Sequence, residues 1–244
     1  MKLYRYRDCD EKLIQVLESG HLSGTVFKHY LKDGSELNIE ISEDLLNKYK
    51  ISRDEANKII KTYKDHINDK YYLCCLSTVP AYSFNHMWDI FGGKGKGFCA
   101  VYDSEDIKNA IRFSRKIISY KKVKYKKFKA SLDLLIDYML DPKKGRKYFE
   151  NGDVYNGVLN SPKSVSDCVI DCITTKPLKC KDEKEYRLIL CSNNEYGEYS
   201  NDMVKVKPCR LIISSKLIFV YKQRIIDYCK INHIPYSIVK IDNN

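Results

Sequence analysis

The sequence predicts an α+β domain with a mixed, mostly antiparallel sheet and peripheral helices. Three observations lead there. Strand-like and helix-like segments are mixed without strict alternation, which disfavours a doubly wound parallel sheet. No Pro/Gly/Ser-rich linker or internal repeat divides the chain, so residues 1–244 read as one domain. Hydrophobic residues make up 43% of the chain, with 20 Tyr and 8 Phe, which is ample for a core.

The elements follow in order. Leu3-Tyr-Arg-Tyr-Arg7 alternates, so a strand there has one basic and one aromatic face. Residues 10–19 read as a helix with Asp10 as N-cap and Gly20 as its stop. Residues 32–38 are polar and carry turn signals. Leucines and isoleucines recur at helical spacing from Ser42 to Ile67, with a break near Ser52. Tyr71 to Thr78 is a dense apolar strand stopped by Pro80. A short helix over Asn85–Phe91 carries the single tryptophan, Trp88, and precedes the glycine-rich stretch Gly92–Gly97. Next come a strand at Phe98–Tyr102, a helix at 104–114, a very basic strand at 116–125 and a helix at 128–140. The remainder reads as a helix at Ser164–Thr174, a strand at 185–192 and one or two strands within 204–220. A helix at 222–232 and a strand at 236–241 close the chain.

The net charge of +11 favours polyanionic partners: nucleic acid, an anionic membrane surface or a phosphorylated small molecule. No apolar run approaches the ~18 residues that span a bilayer, and the N-terminus lacks an apolar signal-peptide core. A cytoplasmic location is expected, with no membrane contact. The ten cysteines contain no C-x-x-C; Cys168 and Cys172 share a helix face but have no second paired motif. Free buried thiols are therefore expected, and no metal site.

Three segments invite a chemical reading. Gly92–Gly97 is glycine-rich with two lysines, but lacks the Gly-Lys-Ser/Thr ending and precedes a strand, so a loop is expected rather than a phosphate cradle. Lys121, Lys122, Lys124, Lys126, Lys127 and Lys129 interleave with Tyr120, Tyr125 and Phe128. Phosphate contacts and base stacking there would make a nucleic-acid footprint, with Lys124, Lys126 and Lys127 at its centre; the bland alternative is a solvated face. None of the five histidines has a recognisable nucleophile context, which argues against triad hydrolysis.

The third segment is Glu183-Lys-Glu-Tyr-Arg187. In an extended strand Glu183 and Glu185 share one face, where like charges raise at least one pKa unless a cation or a ligand hydroxyl uses them. A solvated strand start balanced by Arg187 is the bland reading. The sharper one adds Arg5 and Arg7 on the first strand and Ser77-Thr78 at the end of a central one. A guanidinium grips a diphosphate, and a carboxylate stabilises the oxocarbenium-like state of C–N glycosidic cleavage.

These stretches, together with Leu73-Cys-Cys-Leu-Ser77, Met87-Trp88, Lys96-Gly-Phe-Cys99, Tyr102-Asp103 and Val123-Lys-Tyr125, resemble a widespread bacterial family, domain of unknown function 2971. The similarity extends to Ile225–Pro235. Where the family has an Asn-Asp-Pro-Phe-like motif this chain reads His29-Tyr-Leu-Lys-Asp-Gly, and Cys180 replaces the usual aromatic before the acids. The family's order of Arg, Ser and Glu-x-Glu is similar to that of ADP-ribosyltransferases of the Arg-Ser-Glu type. That resemblance implies an ADP-ribosyltransferase-like fold and an enzyme that transfers ADP-ribose from NAD or hydrolyses NAD, in a toxin or antiphage defence setting. NAD would be the substrate, with a protein or nucleic acid as acceptor and a partner protein of the defence system alongside. Arg5 or Arg7 would contact the NAD phosphates or ribose, with Thr78 and Trp88 beside the same ligand. Ser77 would support the glutamate, Glu185 would stabilise the ribosyl cation and Glu183 would orient the acceptor. The competing expectation is a non-catalytic nucleic-acid- or nucleotide-binding module that uses Lys121–Lys129.

Overall fold

A computed structural model describes residues 1–33, 36–37, 39–82, 86–114, 117–192 and 199–241. Alternating Tyr and Arg side chains form β1 (Lys2–Arg7), and α1 (Glu11–Glu18) follows, with the Asp10 carboxylate accepting from the Leu13 amide as its N-cap. Gly20, at φ +71°, turns the chain into β2 (His21–Val26). A 3-10 segment (Phe27–Asp33) and β3 (Ile39–Glu40) lead to α2 (Glu43–Tyr49) and α3 (Arg53–Lys70). The expected break at Ser52 is real: Ser52 and Glu55 form a capping box. Next are β4 (Tyr71–Ser77), α4 (His86–Phe91), β5 (Phe98–Asp103), α5 (Ser104–Arg112) and β6 (Ile117–Lys122), then β7 (Lys124–Lys126), β8 (Ala130–Ser131) and α6 (Asp133–Leu140). The second half holds α7 (Arg146–Glu150), α8 (Val154–Leu159), α9 (Lys163–Ile173) and β9 (Thr175–Pro177). A second 3-10 segment (Leu178–Glu183) precedes β10 (Glu185–Cys191), β11 (Tyr199–Lys205), β12 (Arg210–Ser214), α10 (Phe219–Ile231) and β13 (Tyr236–Val239). Asn85, expected to open α4, lies outside the described residues, as do 34, 35 and 38 of the polar segment and 116 of the basic one.

The α+β expectation holds. Nine strands make one open sheet in which every pairing is antiparallel except β12 with β13. Helices cover both faces. On one, β4 residues Tyr72, Cys74 and Leu76 pack with Ile14 and Leu17 of α1, Ile107 of α5 and Ile225 of α10. On the other, Tyr71 and Leu73 meet Tyr63 and Ile67 of α3, Ile136 of α6 and Val169 of α9. Alternation along β4 thus feeds two cores from one strand.

The last helix begins at Phe219, inside the segment expected to hold strands, and two boundaries near the lysine run also differ from expectation. The helix expected over 128–140 begins at Asp133, because the Leu132 amide bonds to the Glu40 carbonyl and Ala130–Ser131 pairs with β3. The basic strand breaks at Val123, whose side chain is buried and whose amide bonds to the Glu185 carbonyl. Beyond that point β7 leaves the main sheet and runs parallel to β9.

The feature that positions the site is a fork. β10 pairs with β4 along its whole length. The opposite edge of β4 is shared: Val26 and Thr25 of β2 pair with Tyr72 and Leu73, while β1 touches only at Tyr4 opposite Ser77. Between those contacts, alongside Cys74–Leu76, β1 and β2 part.

Candidate functional site

Arg5 and Arg7 fill the fork. Arg5 is buried and donates from Nη2 to the Ser23 carbonyl at 2.5 Å and to Ser23 Oγ at 3.1 Å. Arg7, half-buried, donates to the same hydroxyl at 3.0 Å. Among the described residues no carboxylate lies within ion-pair distance of either guanidinium. Burial and the neighbouring Arg5 charge lower the Arg7 pKa to about 10. Two desolvated cations side by side, held among the described residues by one serine, form a site that favours an anion.

The acids lie beside Ser77. Cross-strand register aligns Tyr4, Ser77 and Glu185 in one row. Glu185 opens β10, but Glu183 does not share that strand: it ends the 3-10 segment, and Lys184 between them is left-handed at φ 46°. The expectation of two acids on one strand face is corrected accordingly. They converge through a turn instead, on the Nζ of the buried Lys176, 2.7 Å from Glu183 and 3.5 Å from Glu185. Glu185 also receives Arg187 through Nε at 2.8 Å and Nη2 at 3.1 Å. Arg187, with no exposed surface, grips Glu36 bidentately at 2.6 and 3.0 Å and donates to the Ile173 carbonyl. Lys176 reaches Glu36 at 3.1 Å as well. Three carboxylates and two cations thus share one buried cluster with a net charge of −1 when all are ionised.

The two acids are set apart electrostatically. Burial pushes Glu185 up, but Arg187 and Lys176 outweigh it and hold the carboxyl below its ordinary 4.5. At Glu183 burial wins over Lys176, and the pKa is raised. One acid is therefore kept ionised and the other is poised to exchange a proton, the separation that acid–base sites use.

Arg5, Arg7, Ser77, Glu183 and Glu185 line one small cleft of about 60 Å³ that opens to solvent. Tyr4, Tyr6, Met87 and Phe91 supply its apolar wall. Ser77 Oγ donates to the Glu183 carbonyl at 2.5 Å, so it holds the main chain of the turn rather than a carboxylate. Two expected ligand contacts lie elsewhere. Trp88 is fully buried, donating Nε1 to the Ala81 carbonyl and meeting the Tyr6 ring edge-on. Thr78 does not line the cleft; its amide bonds to the Lys184 carbonyl. Both support the wall and the turn from behind.

Gly92–Gly97 is a packed turn, as expected of a loop and not of a phosphate cradle. The Gly92 and Gly95 amides bond to the Trp88 carbonyl and the Gly97 amide to that of Gly92, so they are not free to cradle a phosphate. Lys122, Lys124, Lys126, Lys127 and Lys129 are exposed, and Lys124 pairs with Asp171 at 3.0 Å. Of the interleaved aromatics, Tyr120 packs against Tyr186 and Tyr125 turns inward, its hydroxyl accepting from the Glu185 amide at 2.8 Å. Only Phe128 remains exposed, which corrects the expected run of stacking platforms. All ten cysteines are free, and the described residues contain no cluster fit for a metal.

Glu36, Lys176 and Ser23 were missed by the sequence reading. Glu36 sits in a turn-rich polar stretch and Lys176 before a proline; nothing local marks either as buried.

The protein is thus an α+β domain with a charged cleft at a fork in its sheet. Residues 87–188, from α4 into β10, match the family model described as Protein of unknown function (DUF2971), the family that the motifs resemble. Comparison with curated proteins and with solved structures finds no match.

Proposed function

We propose that the cleft binds NAD and that the protein transfers ADP-ribose from it, or hydrolyses it. The observation that carries this reading is that groups of opposite charge line one cleft. Arg5 and Arg7 lack a carboxylate partner among the described residues, while the Glu36–Lys176–Arg187–Glu183–Glu185 cluster has one negative charge in excess. NAD has the complementary layout, with an anionic diphosphate and a cationic nicotinamide ribosyl centre. Tyr4, Tyr6, Met87 and Phe91 give a flat ring an apolar wall.

In this reading the guanidinium groups take the diphosphate. The C1′–N glycosidic bond breaks, and its electron pair neutralises the pyridinium nitrogen of departing nicotinamide. Glu185, kept ionised, contributes the field that stabilises the positive charge developing at C1′. An acceptor oxygen or nitrogen then bonds to C1′ and yields its proton to Glu183. A cytoplasmic enzyme of a toxin or defence system fits such NAD consumption.

Nicotinamide release from NAD, followed by chromatography, tests the reading. Glu185→Gln should cut turnover by about 10²-fold or more, on the scale seen when one charge-stabilising group is removed. Arg7→Met should chiefly raise KM. Turnover unchanged in Glu185→Gln sinks the assignment. The alternative of a non-catalytic nucleic-acid module rests on the exposed lysines of β7 and predicts strand binding with no nicotinamide release.

A further inference from the structure

We propose that the lysine-rich arm running from β6 through β7 binds a nucleic-acid strand and presents it to Glu183 as the acceptor of ADP-ribose. This inference rests on the NAD reading and names the substrate class it leaves open. Three observations carry it.

The arm is built onto the acid pair. The Val123 amide donates to the Glu185 carbonyl at 2.9 Å, and the Glu185 amide donates to Tyr125 Oη at 2.8 Å. β7 runs beside β9 with Tyr125 opposite Lys176, the residue that holds Glu183. The arm's main chain is therefore joined to the segment that carries both acids.

The arm's charge is not internally neutralised. Residues 121–129 hold six lysines and no acid. Because Tyr125 turns inward, Lys124 and Lys126 face the other way and are exposed, with Lys127 and Lys129 following. Lys179, Lys181 and Lys184 extend the exposed charge along the turn that leads into Glu185. Among the described residues only Asp171 forms an ion pair with the arm, holding Lys121 and Lys124.

Large apolar side chains exposed on the arm and the neighbouring turn are limited, among the described residues, to Ile118, Phe128 and Leu178. Phe128, 75% exposed, is the one open aromatic in the run, enough for one stacked base. Stable membrane anchoring needs a substantial apolar face as well as charge. A strand also carries both the phosphates that lysines hold and the hydroxyl or ring nitrogen that attacks C1′. In the step, the acceptor heteroatom bonds to C1′, the glycosidic pair leaves with nicotinamide, and the acceptor proton passes to Glu183.

Two measurements on the intact protein test this. Fluorescence anisotropy with a single-stranded RNA and a single-stranded DNA oligonucleotide, without NAD, should give salt-dependent binding. Replacing Lys124, Lys126 and Lys127 together with Ala should reduce the slope of log affinity against log salt by about 2, at ~0.7 per lost phosphate contact. Arg at the same positions should restore it. With NAD labelled on the adenylate phosphate, the oligonucleotide should become labelled, and the Ala variant should lower label per nicotinamide released by at least tenfold. Absence of strand binding overturns the proposal, as does undiminished labelling in the Ala variant. Lysine-dependent binding to anionic vesicles, with none to either oligonucleotide, overturns it in favour of a membrane surface. Lysine-dependent strand binding with no nicotinamide release overturns the NAD reading and the acceptor role, leaving a nucleic-acid surface.

Discussion

Arg187 and Lys176 determine what the two acids can do. Each removal from the cluster changes a buried charge balance, so the direction of each effect can be worked out. Arg187→Met leaves three carboxylates facing one lysine, a net −2 in a site with almost no exposure, and should destabilise the protein by about 3–5 kcal/mol in denaturant melts. Glu185→Gln takes the cluster from −1 to neutral and keeps an oxygen for Arg187. Its stability loss should be well below that of Arg187→Met, which is why it remains a usable catalytic probe. The pH dependence follows from the direction of the shift. Glu185 has a folded pKa below its ordinary 4.5, so its contribution to stability is present above that value and lost as pH falls through the folded one. The stability gap between wild type and Glu185→Gln should accordingly narrow on acidification below pH 4.5, measured by thermal melting across a pH series. Glu183 is shifted the other way. The acid limb of an NAD-turnover profile should therefore lie above the ordinary 4.5 of a glutamate.

At the scale of elements, the turn after α4 locks that helix to β1. A Cβ on Gly97 would stand 1.9 Å from the Arg7 carbonyl oxygen, a backbone atom with no easy way to yield. Gly93 and Gly95 take φ of +60° and +77° on either side of a left-handed Lys94, as a tight turn requires. Gly97→Ala should cost about 1–3 kcal/mol by overpacking and displace Arg7, so melting temperature and NAD affinity should fall together. These elements were largely legible. Asp10, Ser52 and the alternation of β1 mark their own boundaries, since caps and alternation are local chemistry. Gly92–Gly97 was legible as a loop, yet the carbonyl that accepts from two of its amides belongs to Trp88 of the preceding short helix.

Across the whole molecule, the net +11 is distributed with a purpose visible only in three dimensions. Two arginines with no carboxylate partner among the described residues face the cleft, two cations are consumed inside the acid cluster, and an arm of lysines is left in solvent. No described helix is long and apolar enough to cross a membrane. By itself the sequence determined the α+β class, most strand and helix positions, and the order Arg5, Arg7, Ser77, Glu183, Glu185, because periodicity, caps and side-chain chemistry are properties of short stretches. Tertiary structure alone decided that β1 and β2 part beside β4, that Glu36 and Lys176 complete the charge cluster, and that Tyr125 abandons the lysine face for Glu185. Each of those depends on residues brought together from distant parts of the chain, where burial sets the cost of an unpaired charge and no local pattern records the partner.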